Sequence, residues 1–223
     1  LNKFNDLMDE YKQGCVLGIQ RHPYCQLKKI TAFGEIRLIS NNRLCIPLHT
    51  INERFVGFQT INAKGYKLKY AKVQGSTKGA FAVVEGSIHD KHLFIAEGYA
   101  TCDKVNQLKN KRYQSVGIIC AVNAGNIPHV VKDLKAESIR TKKEPVFHLC
   151  ADNDVSSFNK GNGNAGVRFV LEGYLMAGKQ AKYYVPEHDK GSDWDDLWHQ
   201  DYKKAKDQFK PKVMTRLEAS LNK

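Results

Sequence analysis

The sequence lacks any apolar run approaching the roughly 20 residues that a membrane-spanning helix needs, and it begins at Leu1 without a signal-peptide pattern. Neither G-x-S-x-G nor H-E-x-x-H occurs, so the signatures of serine hydrolases and zinc peptidases are missing. We therefore expect a cytoplasmic globular protein with no membrane partner. Because no Met begins the chain, we also expect a fragment of a longer protein.

The six cysteines include no C-x-x-C pair, so the common zinc modules and disulfide frameworks have no support. Three of them lie within apolar runs, as buried thiols of a reducing compartment do: Cys45, Cys120 and Cys150. One group has mixed ligands at short spacing: Cys15, His22 and Cys25. That spacing matches no common zinc module and offers no evident fourth ligand, so we predict no zinc site.

Acidic residues are absent from residues 54–84. This segment carries six of the basic residues that give the chain a formal net charge of +12: Arg54, Lys64, Lys67, Lys69, Lys72 and Lys78. Aromatic residues are interleaved with them: Phe55, Phe58, Tyr66, Tyr70 and Phe81. Positive charges beside stackable rings favour a strand of nucleic acid as the partner. The alternative is an ordinary solvated basic surface, with some of these rings in the core.

The first 90 residues are predicted to form a helical segment followed by short antiparallel strands. Asn2 to Lys12 has apolar residues at helical spacing. Residues 36–39 and 43–48 flank an Asn-Asn turn, and residues 55–61 and 66–70 flank an Asn-Ala-Lys-Gly turn, so each pair predicts a hairpin.

From Leu93 onward, predicted strands alternate with predicted helices. The strands cover residues 93–96, 116–122, 146–151 and 181–185, and Asn126 is a candidate N-cap of the helix after the second strand. Four strands alternating with three helices predict a parallel sheet with right-handed crossovers. Two more helices are predicted at the end of the chain, Asp193 to Tyr202 and Pro211 to Leu221.

Three acidic residues follow two of the predicted parallel strands. Glu97 ends the first strand, and Asp152 and Asp154 end the third. Open parallel sheets bind ligands outside the carboxyl ends of their strands, and carboxylate oxygens suit a hard divalent cation such as Mg²⁺. Without a cation, mutual repulsion would make such a cluster costly. Asp193, which begins a predicted helix after the fourth strand, either reaches the same edge or is only an N-cap.

Five segments in order resemble a Toprim domain, the catalytic module shared by topoisomerases and primases. They are Glu97-Gly98-Tyr99-Ala100-Thr101, Ala124-Gly125-Asn126, Ala151-Asp152-Asn153-Asp154, the N-x-G entry to the next helix, and Asp193-Trp194-Asp195-Asp196-Leu197. More narrowly, they resemble the Toprim primases of conjugative plasmids and mobile elements. A looser likeness, in residues 43–48, 56–58, 69–70 and 76–79, is to the basic subdomain that precedes Toprim in bacterial replicative primases.

The resemblance implies roles for particular residues. Glu97 would be the general acid/base and a metal neighbour, with Asp152 and Asp154 as Mg²⁺ ligands; Mn²⁺ is an expected substitute. A second ion would be held by Asp193 and by Asp196 or Asp195. The residues implied to contact triphosphate or nucleic acid are Lys69, Lys78, Arg54 and Lys67. The implied partners are single-stranded DNA, nucleoside triphosphates and a helicase or relaxase.

The expected fold class is therefore α/β: a Toprim-like Rossmannoid domain, preceded by a small, mainly antiparallel, basic α+β subdomain and followed by C-terminal helices. The expected divisions are 1–30, helical; 31–90, basic and antiparallel; 91–186, the Toprim catalytic domain; and 187–223, an acidic loop and C-terminal helices. The implied activity is that of a nucleotidyltransferase, a DNA primase core that makes short RNA or DNA primers. The alternatives are a Toprim nuclease or topoisomerase fragment and a non-catalytic nucleic-acid-binding module.

Overall fold

The computed structural model describes residues 2–52, 54–153, 163–187 and 191–212. Their strands are β1 (Arg37–Ile39), β2 (Arg43–His49), β3 (Phe55–Ile61), β4 (Lys67–Ala71), β5 (Ala82–Glu85), β6 (His92–Ala96), β7 (Val116–Cys120), β8 (Val146–Cys150) and β9 (Lys182–Tyr184). Their helices are α1 (Asn2–Gln13), α2 (Pro23–Leu27), α3 (Tyr99–Leu108), α4 (Ile127–Thr141), α5 (Ala165–Ala177), α6 (Trp194–Gln200) and α7 (Tyr202–Gln208). None of these helices is long and apolar enough to cross a membrane.

The first four strands form an antiparallel sheet in the order β1-β2-β3-β4, which contains the two predicted hairpins, β1-β2 and β3-β4. Asn41 and Asn42 turn the chain between β1 and β2 with φ values of 56° and 50°, a left-handed conformation that asparagine tolerates better than most residues. Helix α1 covers one face of this sheet, where Phe4 and Leu7 pack with Phe58. The apolar residues at helical spacing on α1 therefore form the side of the helix that is buried against this sheet.

The second sheet has the order β5-β7-β6-β8-β9. Strands β7, β6, β8 and β9 are parallel, which matches the four parallel strands predicted from the alternating pattern. The side chains from Leu93 to Ala96 of β6 are at most 1% exposed, because helices cover both faces of the sheet. Helix α3 lies on one face, and α4 and α5 lie on the other.

Strand β5 was not predicted. It lies antiparallel to β7, with Ala82 opposite Cys120, and adds an edge to the sheet of parallel strands. Its four residues are too few to show a period, so only the long-range pairing with β7 identifies them as a strand. The two sheets meet here, because His49 of β2 and Phe81, just before β5, exchange backbone hydrogen bonds of 2.9 Å.

The end of the chain differs from the predicted helix Asp193 to Tyr202. The structure has two helices there, α6 and α7, because Asp201 is extended (φ −155°, ψ 96°) and accepts a hydrogen bond from the Lys204 amide as the cap of α7. Most of the predicted helix Pro211 to Leu221 lies outside the described residues; Lys212 forms a β-bridge with Tyr183.

Among the described residues, Cys15, His22 and Cys25 do not form a group of possible metal ligands. His22 instead caps α2, accepting a hydrogen bond of 3.2 Å from the Tyr24 amide through Nδ1. Cys15 is exposed and Cys25 is buried, and all six cysteines are free.

Candidate active site at the carboxyl ends of the parallel strands

Glu97 and Asp152 leave the same edge of the five-stranded sheet. Strands β6 and β8 are parallel neighbours, with Ala96 opposite Cys150, so Glu97 and the segment Ala151-Asp152 follow paired positions. The Cys120 thiol, at the end of β7, donates a hydrogen bond of 3.3 Å to the Glu97 carbonyl oxygen. Parallel pairing and this hydrogen bond thus place both acidic residues where a parallel sheet binds its ligands.

Helix α5 begins against the Asp152 backbone. A Cβ atom added at Gly166 would lie 2.2 Å from the Asp152 carbonyl oxygen, a distance that no side chain can occupy. Asn164 caps the helix through its side chain, which accepts a hydrogen bond from the Val167 amide. The glycine therefore lets the first turn of α5 close over the end of β8. Asp154, the third predicted carboxylate, lies outside the described residues.

Asn153 connects the end of β8 to the segment that precedes α6. Its side-chain amide donates a hydrogen bond of 2.7 Å to the Pro186 carbonyl oxygen, and its Oδ1 accepts one of 2.7 Å from Asn164. Its backbone N–H donates to the Ser192 carbonyl oxygen. These contacts hold Pro186 and Ser192 at the edge where Asp152 lies.

Asp193 occupies that edge as both a helix cap and a partner of α3. Its Oδ1 accepts a hydrogen bond of 2.8 Å from the Asp196 amide, which caps α6. Its Oδ2 accepts one of 3.1 Å from the Thr101 hydroxyl, in the first turn of α3, four residues after Glu97. The sequence left open whether Asp193 is only a helix cap or also reaches the edge where Glu97 lies. Its side chain does cap α6, and it also contacts the start of α3, which follows Glu97.

Three carboxylates of α6 and its cap form a compact acidic cluster, with one oxygen of each within 4.8 Å of the others: Asp193, Asp195 and Asp196. Asp195 is fully buried and pairs with Lys28, whose Nζ lies 2.5 Å from Oδ2. Asp196 is half-buried and accepts a hydrogen bond of 2.9 Å from the Ser192 amide. Asp195 is therefore committed to an internal ion pair, which leaves Asp193 and Asp196 as the better cation ligands.

Burial and neighbouring charges shift the pKa values of Asp193 and Lys28. Burial raises the pKa of Asp193, the hydrogen bond from the Asp196 amide lowers it, and the neighbouring carboxylates raise it further. Burial also lowers the pKa of Lys28, but the hydrogen bond and charge of Asp195 outweigh this and leave the pKa raised. A cation beside Asp193 would relieve the repulsion between adjacent carboxylates.

Lys67 reaches this edge from the antiparallel sheet. Its Nζ would lie 3.6 Å from a Cβ added at Gly98, the residue after Glu97. Lys69 lies two residues further along β4 and so points to the same side of that sheet. Arg54, by contrast, precedes β3, whose other end, Ile61, pairs with Lys67. Seven residues of strand span about 20 Å, so Arg54 is not brought to the edge where Lys67 lies.

Asn126 holds the loop that carries Lys78. It occupies the predicted N-cap position of α4, with φ −88° and ψ −17°, but its side chain makes no capping hydrogen bond. Instead, Oδ1 accepts a hydrogen bond of 2.7 Å from the Gly79 amide, and Nδ2 donates to the carbonyl oxygens of Ala80 (2.7 Å) and Ala121 (2.9 Å). The basic loop is thereby fixed beside the end of β7, and Lys78 itself is exposed.

The sequence did not indicate that three residues help to build this edge of the sheet: Thr101, Lys28 and Gly166. Thr101 had a usable signal, because it ends the Glu97–Thr101 segment that resembles the Toprim motif. Lys28 had none, since its partner Asp195 is 167 residues away in the chain.

No protein-family model matches the sequence, and no curated protein matches it either. Among solved structures, the chain is similar to the primase fragment of the bacteriophage T7 primase-helicase protein, with a TM-score of 0.51 and 14% identity over 82% of this chain and 67% of that one. It is also similar, with a TM-score of 0.49 and 14% identity, to a chain of a complex of the T7 lagging-strand DNA polymerase with primase domains; that match covers 83% of this chain and 84% of the other. The first likeness shows a mixed α/β, primase-type fold.

Proposed function

We propose that this chain is the catalytic core of a DNA primase, which makes short RNA or DNA primers on single-stranded DNA by metal-dependent nucleotidyl transfer. The observation that carries the proposal is the convergence at one sheet edge. Glu97 and Asp152 follow paired positions of β6 and β8, and the hydrogen bond from Thr101 holds Asp193 beside the start of α3. The primase-type fold supports the same activity.

The donor set at this edge suits Mg²⁺, with Mn²⁺ as a substitute, because its ligand atoms are carboxylate oxygens. We propose Glu97, Asp152, Asp193 and Asp196 as the residues that hold the ions, and Asp154 as a further ligand. When bound, such ions stabilise the charge that develops on the attacking and leaving oxygens of a phosphoryl transfer.

The chain's own residues supply the remaining functions. We propose that Glu97 accepts the proton of the attacking 3′-hydroxyl group, since it directly follows the central strand of the sheet. Lys67, Lys69 and Lys78 would neutralise the phosphates of the nucleotide and template, because Lys67 lies beside Gly98 and the Asn126 contacts fix the Lys78 loop nearby. Rigid strands and helix starts carry these groups, so little reorganisation is needed.

The finer assignment is part of the same proposal. The chain would be a Toprim primase of the plasmid or mobile-element type, divided at about residues 30, 90 and 186 as the sequence predicts. It would act in the cytoplasm, where free thiols such as its six cysteines persist, and together with a helicase or relaxase.

The test is primer synthesis from nucleoside triphosphates on single-stranded DNA with Mg²⁺. Glu97→Gln and Asp152→Asn should each lower the rate at least a hundredfold, within the range that a general acid/base contributes. The matched control is Glu172→Gln, which removes an exposed carboxylate from α5 and should leave the rate unchanged. Synthesis within twofold of wild type in both site variants would contradict the proposal, and metal-dependent nicking without nucleotides would indicate the nuclease alternative.

A further inference from the structure

Strand β4 separates its cations from its exposed apolar side chains. Lys67 and Lys69 lie on one side of the strand, where Lys67 lies beside Gly98. Leu68 lies on the other side, and so by alternation does Tyr66, the residue just before β4 whose carbonyl oxygen accepts a hydrogen bond from the Asn62 amide. Among the described residues, β4 pairs only with β3, so its other edge is free. A lysine-bearing surface and an exposed apolar surface thus meet along the free edge of β4, which begins beside the candidate active site.

Two apolar residues on the apolar side of this edge are largely exposed to solvent. The Tyr66 side chain is 73% exposed and the Leu68 side chain is 59% exposed, whereas Tyr70, two residues further, packs against the cluster that contains Phe58. Helix α1 therefore covers only the far part of this face. Single exposed apolar residues are ordinary on a protein surface, but here two lie side by side among lysines, in a segment without an acidic residue.

The tip of the hairpin is ordered by its own backbone contacts. The side-chain oxygen of Asn62 accepts hydrogen bonds from the amides of Lys64 (2.9 Å) and Tyr66 (3.0 Å), and the Asn62 amide donates to the Tyr66 carbonyl oxygen (3.0 Å). Gly65 adopts φ +83°, and a Cβ added there would lie 3.5 Å from the Tyr24 ring. The Tyr66 ring therefore projects from a preformed turn, so little conformational entropy is lost when it binds a ligand.

We propose that this hairpin tip, residues 64–69, is a docking surface for the single-stranded template. A base stacks on the Tyr66 ring beside Leu68, and the phosphates lie against Lys64, Lys67 and Lys69. The chemistry fits, because aromatic stacking tolerates any base and cations neutralise the backbone. Since Lys67 lies next to Gly98, a strand bound here leads to the carboxylates at the ends of β6 and β8. The inference rests on the proposed function for the identity of this ligand.

The experiment measures binding of a fluorescent oligothymidylate to the full chain in EDTA, without nucleotides, at several salt concentrations. Tyr66→Ala should weaken binding about tenfold and leave the salt dependence unchanged, because stacking releases no counterions. Tyr66→Phe, which keeps the ring, should bind as wild type does. Lys67→Ala and Lys69→Ala should each reduce the slope of log K against log salt by about 0.7, the value for one phosphate of a single strand.

Two comparisons separate stacking from damage to the fold. Tyr202→Ala removes another ring, 51% exposed on α7, and should bind normally. A duplex competitor offers the same phosphates without free bases, so Tyr66→Ala should affect single-strand binding but not duplex binding. Equal losses on both ligands, or binding within twofold of wild type on the single strand, would overturn the inference.

Primer synthesis, assayed in parallel, distinguishes the two proposals. If the wild type makes primers and Tyr66→Ala binds template normally, only the docking surface is wrong. If the wild type makes no primers but Tyr66→Ala loses single-strand binding, the docking surface holds and the catalytic proposal fails.

Discussion

The Thr101 hydroxyl donates a hydrogen bond of 3.1 Å to the Asp193 carboxylate, across 92 residues of chain. It joins the first turn of α3, which follows Glu97, to the first turn of α6. The other Asp193 oxygen is occupied by the Asp196 amide, so the carboxylate is oriented from both sides. Thr101 thus helps to fix the orientation of the Asp193 carboxylate.

Replacement of Thr101 by Val should raise the Mg²⁺ concentration needed for half-maximal primer synthesis several-fold. Val has nearly the shape of Thr but cannot donate the hydrogen bond, so the Asp193 carboxylate loses this donor. Thr101→Ser keeps the hydroxyl and should respond to Mg²⁺ as wild type does. An unchanged Mg²⁺ titration of Thr101→Val would show that this contact does not orient a metal ligand.

Asn126→Ala should lower the free energy of unfolding by about 2–3 kcal/mol, because it removes three hydrogen bonds and leaves buried groups of two segments without partners. It should also raise KM for the nucleotide more than it lowers kcat, since the loop carrying Lys78 is released. Chemical denaturation and steady-state kinetics measure the two effects. The control is Asn123→Ala, because the Asn123 side chain makes no capping hydrogen bond to the turn that contains Asn126. Equal effects of the two variants would show that Asn126 does not hold the loop that carries Lys78.

His148 should make stability depend on pH. Its ring is fully buried, stacked on Phe94 at 4.1 Å and hydrogen-bonded to Tyr184 (2.8 Å) and His92 (3.1 Å). Burial, with smaller effects from His92 and Lys182, lowers the pKa of His148 to about 3. The unfolded chain, with an ordinary pKa of about 6.5, binds the proton first as pH falls, so stability present above pH 6.5 is lost below it.

At pH 5 this loss amounts to about 2 kcal/mol relative to pH 7. Urea unfolding of the wild type and of His148→Gln at both pH values isolates the histidine from the other titrating groups. The Gln variant should be less stable at neutral pH but should lose about 2 kcal/mol less on acidification. Identical pH dependence of the two proteins would show that His148 is not held neutral in the fold.

Gly166→Ala should disturb both stability and catalysis. The added methyl group would lie 2.2 Å from the Asp152 carbonyl oxygen, and backbone must move to accept it. Overpacking of this kind costs about 1–3 kcal/mol, and here it displaces the segment that carries a proposed metal ligand. Gly125→Ala is the control, because its nearest neighbours lie at 3.6 Å. If Gly166→Ala and Gly125→Ala have the same unfolding temperature and the same rate of primer synthesis, α5 does not approach the Asp152 backbone as closely as described.

Sequence patterns predicted the parts of the fold whose signal is local. The hairpin turns at Asn41 and Asn62 and the buried strand before Glu97 follow from residue types within a few positions. The same patterns placed Glu97 and Asp152 at strand ends, because parallel strands separated by helices share an edge.

Features that depend on distant pairing were not predictable from local patterns. Strand β5 is defined by its pairing with β7. Asn126 has the sequence context of a cap, but the Gly79–Ala80 loop, which takes its hydrogen bonds, is 47 residues away. Asp195 belongs to an acidic motif, yet its burial against Lys28 separates it chemically from Asp193 and Asp196. In each case a long-range partner decides the role of the residue.

The central claim is that carboxylates from three separate segments share bound cations at one edge of the sheet. Anomalous diffraction from a crystal of this chain soaked in Mn²⁺ tests it most directly. We expect a peak with Glu97, Asp152 or both at coordination distance, about 2.0–2.3 Å, and with Asp193 in the same ion cluster. Density confined to exposed carboxylates elsewhere, or Glu97 turned away from Asp152 in the presence of the ion, would contradict the account.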